Sequence, residues 1–130
     1  MGINKFSVDL SEDTPSVNFD PKTGEFDVEG MSRPEDVTKF YNPVIDWLEK
    51  YAKSPAPATT VNFRYSYFNT ASARKIYEIL AVLDDINLKK YSKVNINWYY
   101  DEPDIDMKMA GEEYDELIDI DINHCSVSIS

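Results

Sequence analysis

The sequence predicts an α/β fold: a mixed β-sheet that opens with an N-terminal hairpin and carries its helices mainly on one face. Two observations carry this. After residue 30, stretches that alternate apolar and polar residues take turns with stretches of helical spacing, the pattern of strand–helix–strand units. Before it, two alternating runs flank Pro21-Lys22-Thr23-Gly24, which marks a hairpin. A length of 130 residues suits one core, and a hydrophobic content of 42% with 13% aromatics can fill it. No repeat, low-complexity tract or linker interrupts the chain, so residues 1–130 are taken as one domain.

The elements follow in order. Phe6, Val8 and Leu10 alternate and suggest a short first strand. Residues 16–20 and 25–29 form the hairpin arms, with Gly24 supplying a positive φ. Residues 30–33 are expected to turn. Pro34 fits the first position of a helix, with Glu35 and Asp36 complementing its dipole. Val37, Phe40, Tyr41, Val44, Ile45, Leu48 and Tyr51 give that helix an apolar stripe, and Pro43 is expected to loosen its second turn. Ser54-Pro55-Ala56-Pro57 ends it. A strand runs from Thr59 to Phe68, with Val61, Phe63, Tyr65 and Tyr67 on one face. A helix follows from about Ser72 to Asn87, and a strand from Lys93 to Tyr99. Asp104 to Leu117 suits a helix with Met107, Ala110, Gly111, Tyr114 and Leu117 on one side. Ile118, Ile120 and Ile122 alternate with polar residues and suggest a final strand.

Composition narrows the function. The formal net charge of -11 argues against a nucleic-acid surface and against an anionic membrane surface, since both require Lys and Arg. It permits a basic protein partner. No basic segment followed by an apolar run opens the sequence, no run approaches a membrane span, and Cys125 has no second cysteine to pair with. A cytoplasmic location fits these features.

Three constellations could carry chemistry. At Asn69-Thr70-Ala71-Ser72 a strand pattern passes into a helix pattern, and these residue types cap helix starts. Capping alone explains them. The position would also suit a phosphate on a hydroxyl, beside free N–H groups and the positive end of a helix dipole. Asp101, Glu102, Asp104 and Asp106 could hold Mg²⁺ or Ca²⁺, which would make the chain a small metal-binding or enzymatic domain. They lack the glycine and closing Glu of a calcium loop, and an acidic turn at a helix start accounts for them. His124 and Cys125 are neighbours in a strand, where successive side chains point to opposite faces, so they do not form a dyad. One of the two is expected to be buried and the other exposed. No cofactor signature is present.

Three segments together resemble the SiaC family of bacterial regulatory phosphoproteins. Arg33-Pro34-Glu35, followed by Phe40-Tyr41-Asn42-Pro43-Val44-Ile45-Asp46-Trp47-Leu48-Glu49, resembles its first-helix signature. Tyr67-Phe68-Asn69-Thr70-Ala71-Ser72 resembles its phosphorylation motif. Trp98-Tyr99-Tyr100-Asp101-Glu102 and Gly111-Glu112-Glu113 resemble its third block. The similarity spans roughly residues 14 to 118 and implies a fold like STAS domains and anti-sigma-factor antagonists. It implies a protein that is not an enzyme. Such proteins are phosphorylated by a serine/threonine kinase related to anti-sigma factors and dephosphorylated by a PP2C-type phosphatase. The unphosphorylated form binds an output partner such as a diguanylate cyclase and promotes cyclic-di-GMP synthesis. The modified threonine maps to Thr70, and Ala71 stands where the pattern often has Ser. Asn69, Ser72 and Arg74 are then candidate partner contacts, with Arg64 and Lys75 as further nearby cations.

Overall fold

A computed structural model describes residues 3–128. The expected domain of 1–130 therefore includes four terminal residues that lie outside the described ones. Among the described residues, three strands come first and then helices alternate with strands: β1 (Phe6–Val8), β2 (Ser16–Asp20), β3 (Glu25–Ser32), α1 (Val37–Tyr51), β4 (Ala58–Phe68), α2 (Thr70–Leu88), β5 (Lys93–Asp101), α3 (Ile105–Leu117) and β6 (Asn123–Val127). The sheet order is β1-β2-β3-β4-β5-β6. The first three strands pair antiparallel, and β3 to β6 pair parallel. Parallel strands follow one another in sequence and in space from β3 to β6, and crossovers of one hand, the right-handed rule for such units, put their helices on one face. The mixed sheet with helices on one face is thus as the sequence predicts.

The covered face is apolar. Val17, Phe19, Phe26, Val28, Val61, Phe63, Tyr65, Val94, Ile96 and Trp98 are buried beneath Tyr41, Val44, Leu48, Ile76, Ile79, Leu80 and Leu83 of the helices. Each large apolar side chain removed from water contributes about 1.5–3 kcal/mol. Parallel sheets are ordinarily covered on both faces, yet the opposite face here is polar and largely bare. Ser7, Asn18, Asp27, Asn62, Asn97 and Asn123 fall in register across all six strands. Asn123 Nδ2 donates to Asn97 (3.0 Å), Asn97 to Asn62 (2.9 Å) and Asn62 to Asp27 (3.1 Å). This amide row satisfies the polar side chains of an uncovered face.

Several expectations need correction. Residues 30–33 do not form a turn, because β3 runs on to Ser32. Gly30, at φ 124°, is the local irregularity, and a Cβ there would meet Leu10 Cδ1 at 2.6 Å. Pro34 precedes α1 instead of opening it. Asp36 caps this helix by accepting from Lys39 N (3.0 Å). Pro43 sits inside α1 without ending it, since it lies on the exposed side, where water can take the carbonyl it leaves unpaired. Residues 118–122 are not a strand, although Ile120 and Ile122 are buried. Side-chain carboxylates occupy the backbone donors a ladder would use. Asp84 accepts from Asp119 N and Ile120 N, and Asp115 accepts from Ile122 N. Leu117 is exposed, not turned to the core.

Candidate functional site

The junction of β4 and α2 is shaped by a bulge. Gly30 pairs with Tyr65, but Met31 pairs with Tyr67, so Ser66 is an extra residue in β4. An added residue reverses the alternation beyond it. Phe68, not Tyr67, therefore turns inward, against Tyr65, Trp98 and Tyr114. Tyr67 is 49% exposed, contrary to the face assigned to it from the sequence. Asn69 N then donates to Ser32 O (3.0 Å), which stops the strand beside the end of β3.

Helix α2 begins at Thr70, two residues earlier than its apolar spacing suggests. Asn69 is the cap: its backbone is extended (φ -84°, ψ 172°), and its Oδ1 accepts from Ser72 N at 2.9 Å. Thr70 is the first helical residue. Its side chain is exposed, and the first turn holds no carboxylate. The neutral cap leaves the positive end of the dipole uncompensated by charge.

Beneath this turn lies a chain of buried hydroxyls. Ser72 is buried, and its Oγ sits 2.9 Å from Ser32 Oγ and within reach of Ser32 O (3.3 Å). Ser32 Oγ bonds the Tyr41 hydroxyl, which is 3.1 Å from that of Tyr65. Burial pushes the Tyr41 phenol above its ordinary range and the Tyr65 phenol well above it, so both stay neutral donors. Ser72 therefore anchors the turn from inside and is buried away from the surface. Thr70 and Arg74 are exposed at the surface, and Asn69 is half-buried. A second tie comes from α3, where the Tyr114 hydroxyl donates to Ala73 O at 2.6 Å. Burial raises that phenol as well.

The candidate cations separate. Arg74 is exposed one turn beyond Thr70, and both line a cavity of about 410 Å³ with Phe68, Ala73, Tyr77 and Tyr114. Lys75 turns to Asn42 (3.0 Å) and Glu78 (3.3 Å). Arg64 lies on the open face of the sheet, paired with Asp27 at 3.1 Å and over the Tyr99 ring at 4.2 Å. It is not part of the junction.

The acidic cluster is spent locally. Asp104 caps α3 by accepting from Met107 N (3.0 Å), Asp106 sits in its first turn, and Glu102 accepts from Ser128. Among the described residues, no three or more His, Cys, Asp or Glu converge as a metal-binding group. His124 stands 3.4 Å from Asp115, while Cys125 is half-buried. Among the described residues, no helix is long and apolar enough to cross a membrane.

Residues 8–127 match the family described as SiaC family regulatory phosphoprotein. An uncharacterized protein of Pseudomonas aeruginosa (strain UCBPP-PA14) is 26% identical over 106 residues, which span 82% of this chain and 83% of that protein. The crystal structure of apo-SiaC from Pseudomonas aeruginosa is similar over 95% of this chain and 99% of its own, with a TM-score of 0.87 at 23% identity. So is a chain in the crystal structure of the diguanylate cyclase SiaD in complex with its activator SiaC, from the same organism. It covers 94% of this chain and 99% of its own, with a TM-score of 0.87 at 23% identity. At these identities the structural likeness speaks for the fold.

Proposed function

The chain belongs to the SiaC family of regulatory phosphoproteins, and we propose that it is an interaction switch whose phosphorylated residue is Thr70. The single observation behind this is the exposed Thr70 hydroxyl at the first position of a helix whose cap is neutral and whose first turn has no carboxylate. A kinase can reach it. The phosphate adds roughly 1.5 to 2 negative charges where the dipole tolerates them, so the fold survives. The rigid hydroxyl platform under the turn keeps the change local.

In this reading a serine/threonine kinase related to anti-sigma factors adds the phosphate and a PP2C-type phosphatase removes it. The unphosphorylated form binds an output partner. In the solved complex SiaC is the activator of the diguanylate cyclase SiaD, and a diguanylate cyclase is the partner proposed here, with cyclic-di-GMP as output. The protein acts by binding, with no catalytic residues and no cofactor. Asn69 and Arg74 border the switch as partner contacts, and Ser72 supports them from the interior. Phosphate on Thr70 covers the junction with charge and bound water, which a packed partner would have to displace.

Phosphosite mapping of the protein recovered from its own cells tests this. Phosphate on Thr70, together with capture of a cyclase by the Thr70→Ala variant, is the expected result. Phosphate on Ser66 with Thr70 unmodified would overturn the assignment.

A further inference from the structure

Helix α3 presents an apolar ridge to solvent. Ile105, Met109 and Leu117 are 65%, 50% and 61% exposed. They repeat every four residues or a multiple of four, with Glu113 filling the remaining place. Side chains four apart form a continuous ridge on a helix, and such ridges seat in the grooves of another helix. The C-terminal end of this row, Glu113 and Leu117, lines the cavity between α2 and α3 together with Tyr77 and Ala110. Gly111 and Tyr114 hold α3 in place on its inner side, with Trp98 Nε1 donating to Met107 O at 3.0 Å. The outer side is free to receive something.

Charge selects the occupant. Helix α3 carries Asp106, Glu112, Glu113 and Glu116 against Lys108 alone, with Asp115 turned to Ile122 N and His124. A partner lying on the ridge meets a strongly acidic rim, and potentials at an interface are complementary. We infer that the strip formed by the outer side of α3 and its groove with α2 docks an amphipathic helix of a partner protein, with an apolar ridge flanked by Lys and Arg. Thr70 and Arg74 stand at one rim of the same groove. The strip therefore names the surface on which the proposed switch acts. A phosphate at that rim attracts the partner's Lys and Arg, so it hinders seating only through its volume and by drawing Arg74, four residues on, across the groove mouth.

The test uses unphosphorylated protein, so it stands or falls apart from the assignment of Thr70. The probes are two synthetic helical peptides of about 18 residues. Both carry a leucine ridge at helical spacing, one with flanking lysines and the other with flanking glutamates. Amide shifts of the isotope-labelled protein locate binding. The lysine peptide is expected to shift residues of α3 and the start of α2, and the glutamate peptide to bind at least tenfold more weakly. Met109→Gln with Leu117→Gln is expected to weaken the lysine peptide at least tenfold. Leu88→Gln, at an exposed leucine far along α2, is expected to leave it unchanged. Absence of lysine-peptide binding, shifts confined to the open face of the sheet, or equal binding of both peptides would overturn the inference. So would sedimentation showing that the chain pairs with itself through this strip.

Discussion

Helices α2 and α3 start with the same hydrogen bond and opposite electrostatics. At each, a side-chain oxygen of the capping residue accepts from the backbone N–H three residues on. Asn69 takes that of Ser72 at 2.9 Å, and Asp104 takes that of Met107 at 3.0 Å. The α3 start adds Asp106 in its first turn, so two carboxylates already answer its dipole. The α2 start has a neutral amide and an exposed threonine. Helix α1 sides with α3, for its cap is Asp36. Among the described residues, α2 is the helix that combines an uncharged cap with an exposed hydroxyl at its first position. The comparison teaches that a capping residue can be chosen for what it leaves vacant: Asn69 secures the helix without using up the field that a phosphate would need.

The largest expected effect would separate the two starts. Gly111 lets α3 lie against Trp98, since a Cβ there would come within 2.5 Å of the indole ring. Gly111→Val should cost about 3 kcal/mol and loosen the Tyr114 tie to Ala73, which chemical denaturation and amide shifts at Ala73 would register. An unchanged midpoint would mean that α3 yields more readily than its packing implies.

Alkaline pH should act next, and mainly beneath α2. Tyr41, Tyr65 and Tyr114 all have phenols raised above the ordinary value of 10.0 by burial. A raised folded value means that their contribution to stability is complete below pH 10. It is lost as pH rises beyond that toward the folded values, by about 1.4 kcal/mol per pH unit for each phenol. Melting curves across that range should show the decline, and Tyr65→Phe should make it shallower. An identical slope in the variant would remove Tyr65 from the account.

Replacing the caps sharpens the comparison directly. Asn69→Ala and Asp104→Ala should each cost about 1 kcal/mol in thermal or chemical melts. Asn69→Asp should keep the cap, yet lower the melting point of the Thr70-phosphorylated protein relative to phosphorylated wild type, because like charges then share one helix start. Equal melting of the two phosphoproteins would show that the neutral cap has no bearing on the phosphate. The smallest effect belongs to Thr70→Ala. Thr70 is not the cap and lies exposed, so its loss should change stability by no more than about 0.5 kcal/mol.

Much of this was legible in the sequence. The hairpin, the α/β alternation and a capped helix start at Asn69-Thr70 follow from spacing and residue type, while the choice of Asn69 over Thr70 as the cap needs the structure. What was hidden depends on partners distant in the chain. The bulge at Ser66 is visible only through the register with Gly30 and Met31, and it turns Tyr67 outward. The false strand at 118–122 has a period of two, but Asp84 and Asp115 take its N–H groups. Ser72 looks like a surface hydroxyl until Ser32 and Tyr41 close over it. The amide row through Asn62, Asn97 and Asn123 exists only once parallel strands are aligned.

Calorimetry addresses the central claim most directly: the partner captured from cells is titrated into the unmodified protein and into protein fully phosphorylated on Thr70. At least tenfold weaker binding is expected after phosphorylation, about 1.4 kcal/mol, with the fold intact and Thr70→Ala binding like the unmodified protein. Equal affinity for both forms would contradict it and leave Asn69-Thr70 as an ordinary helix start.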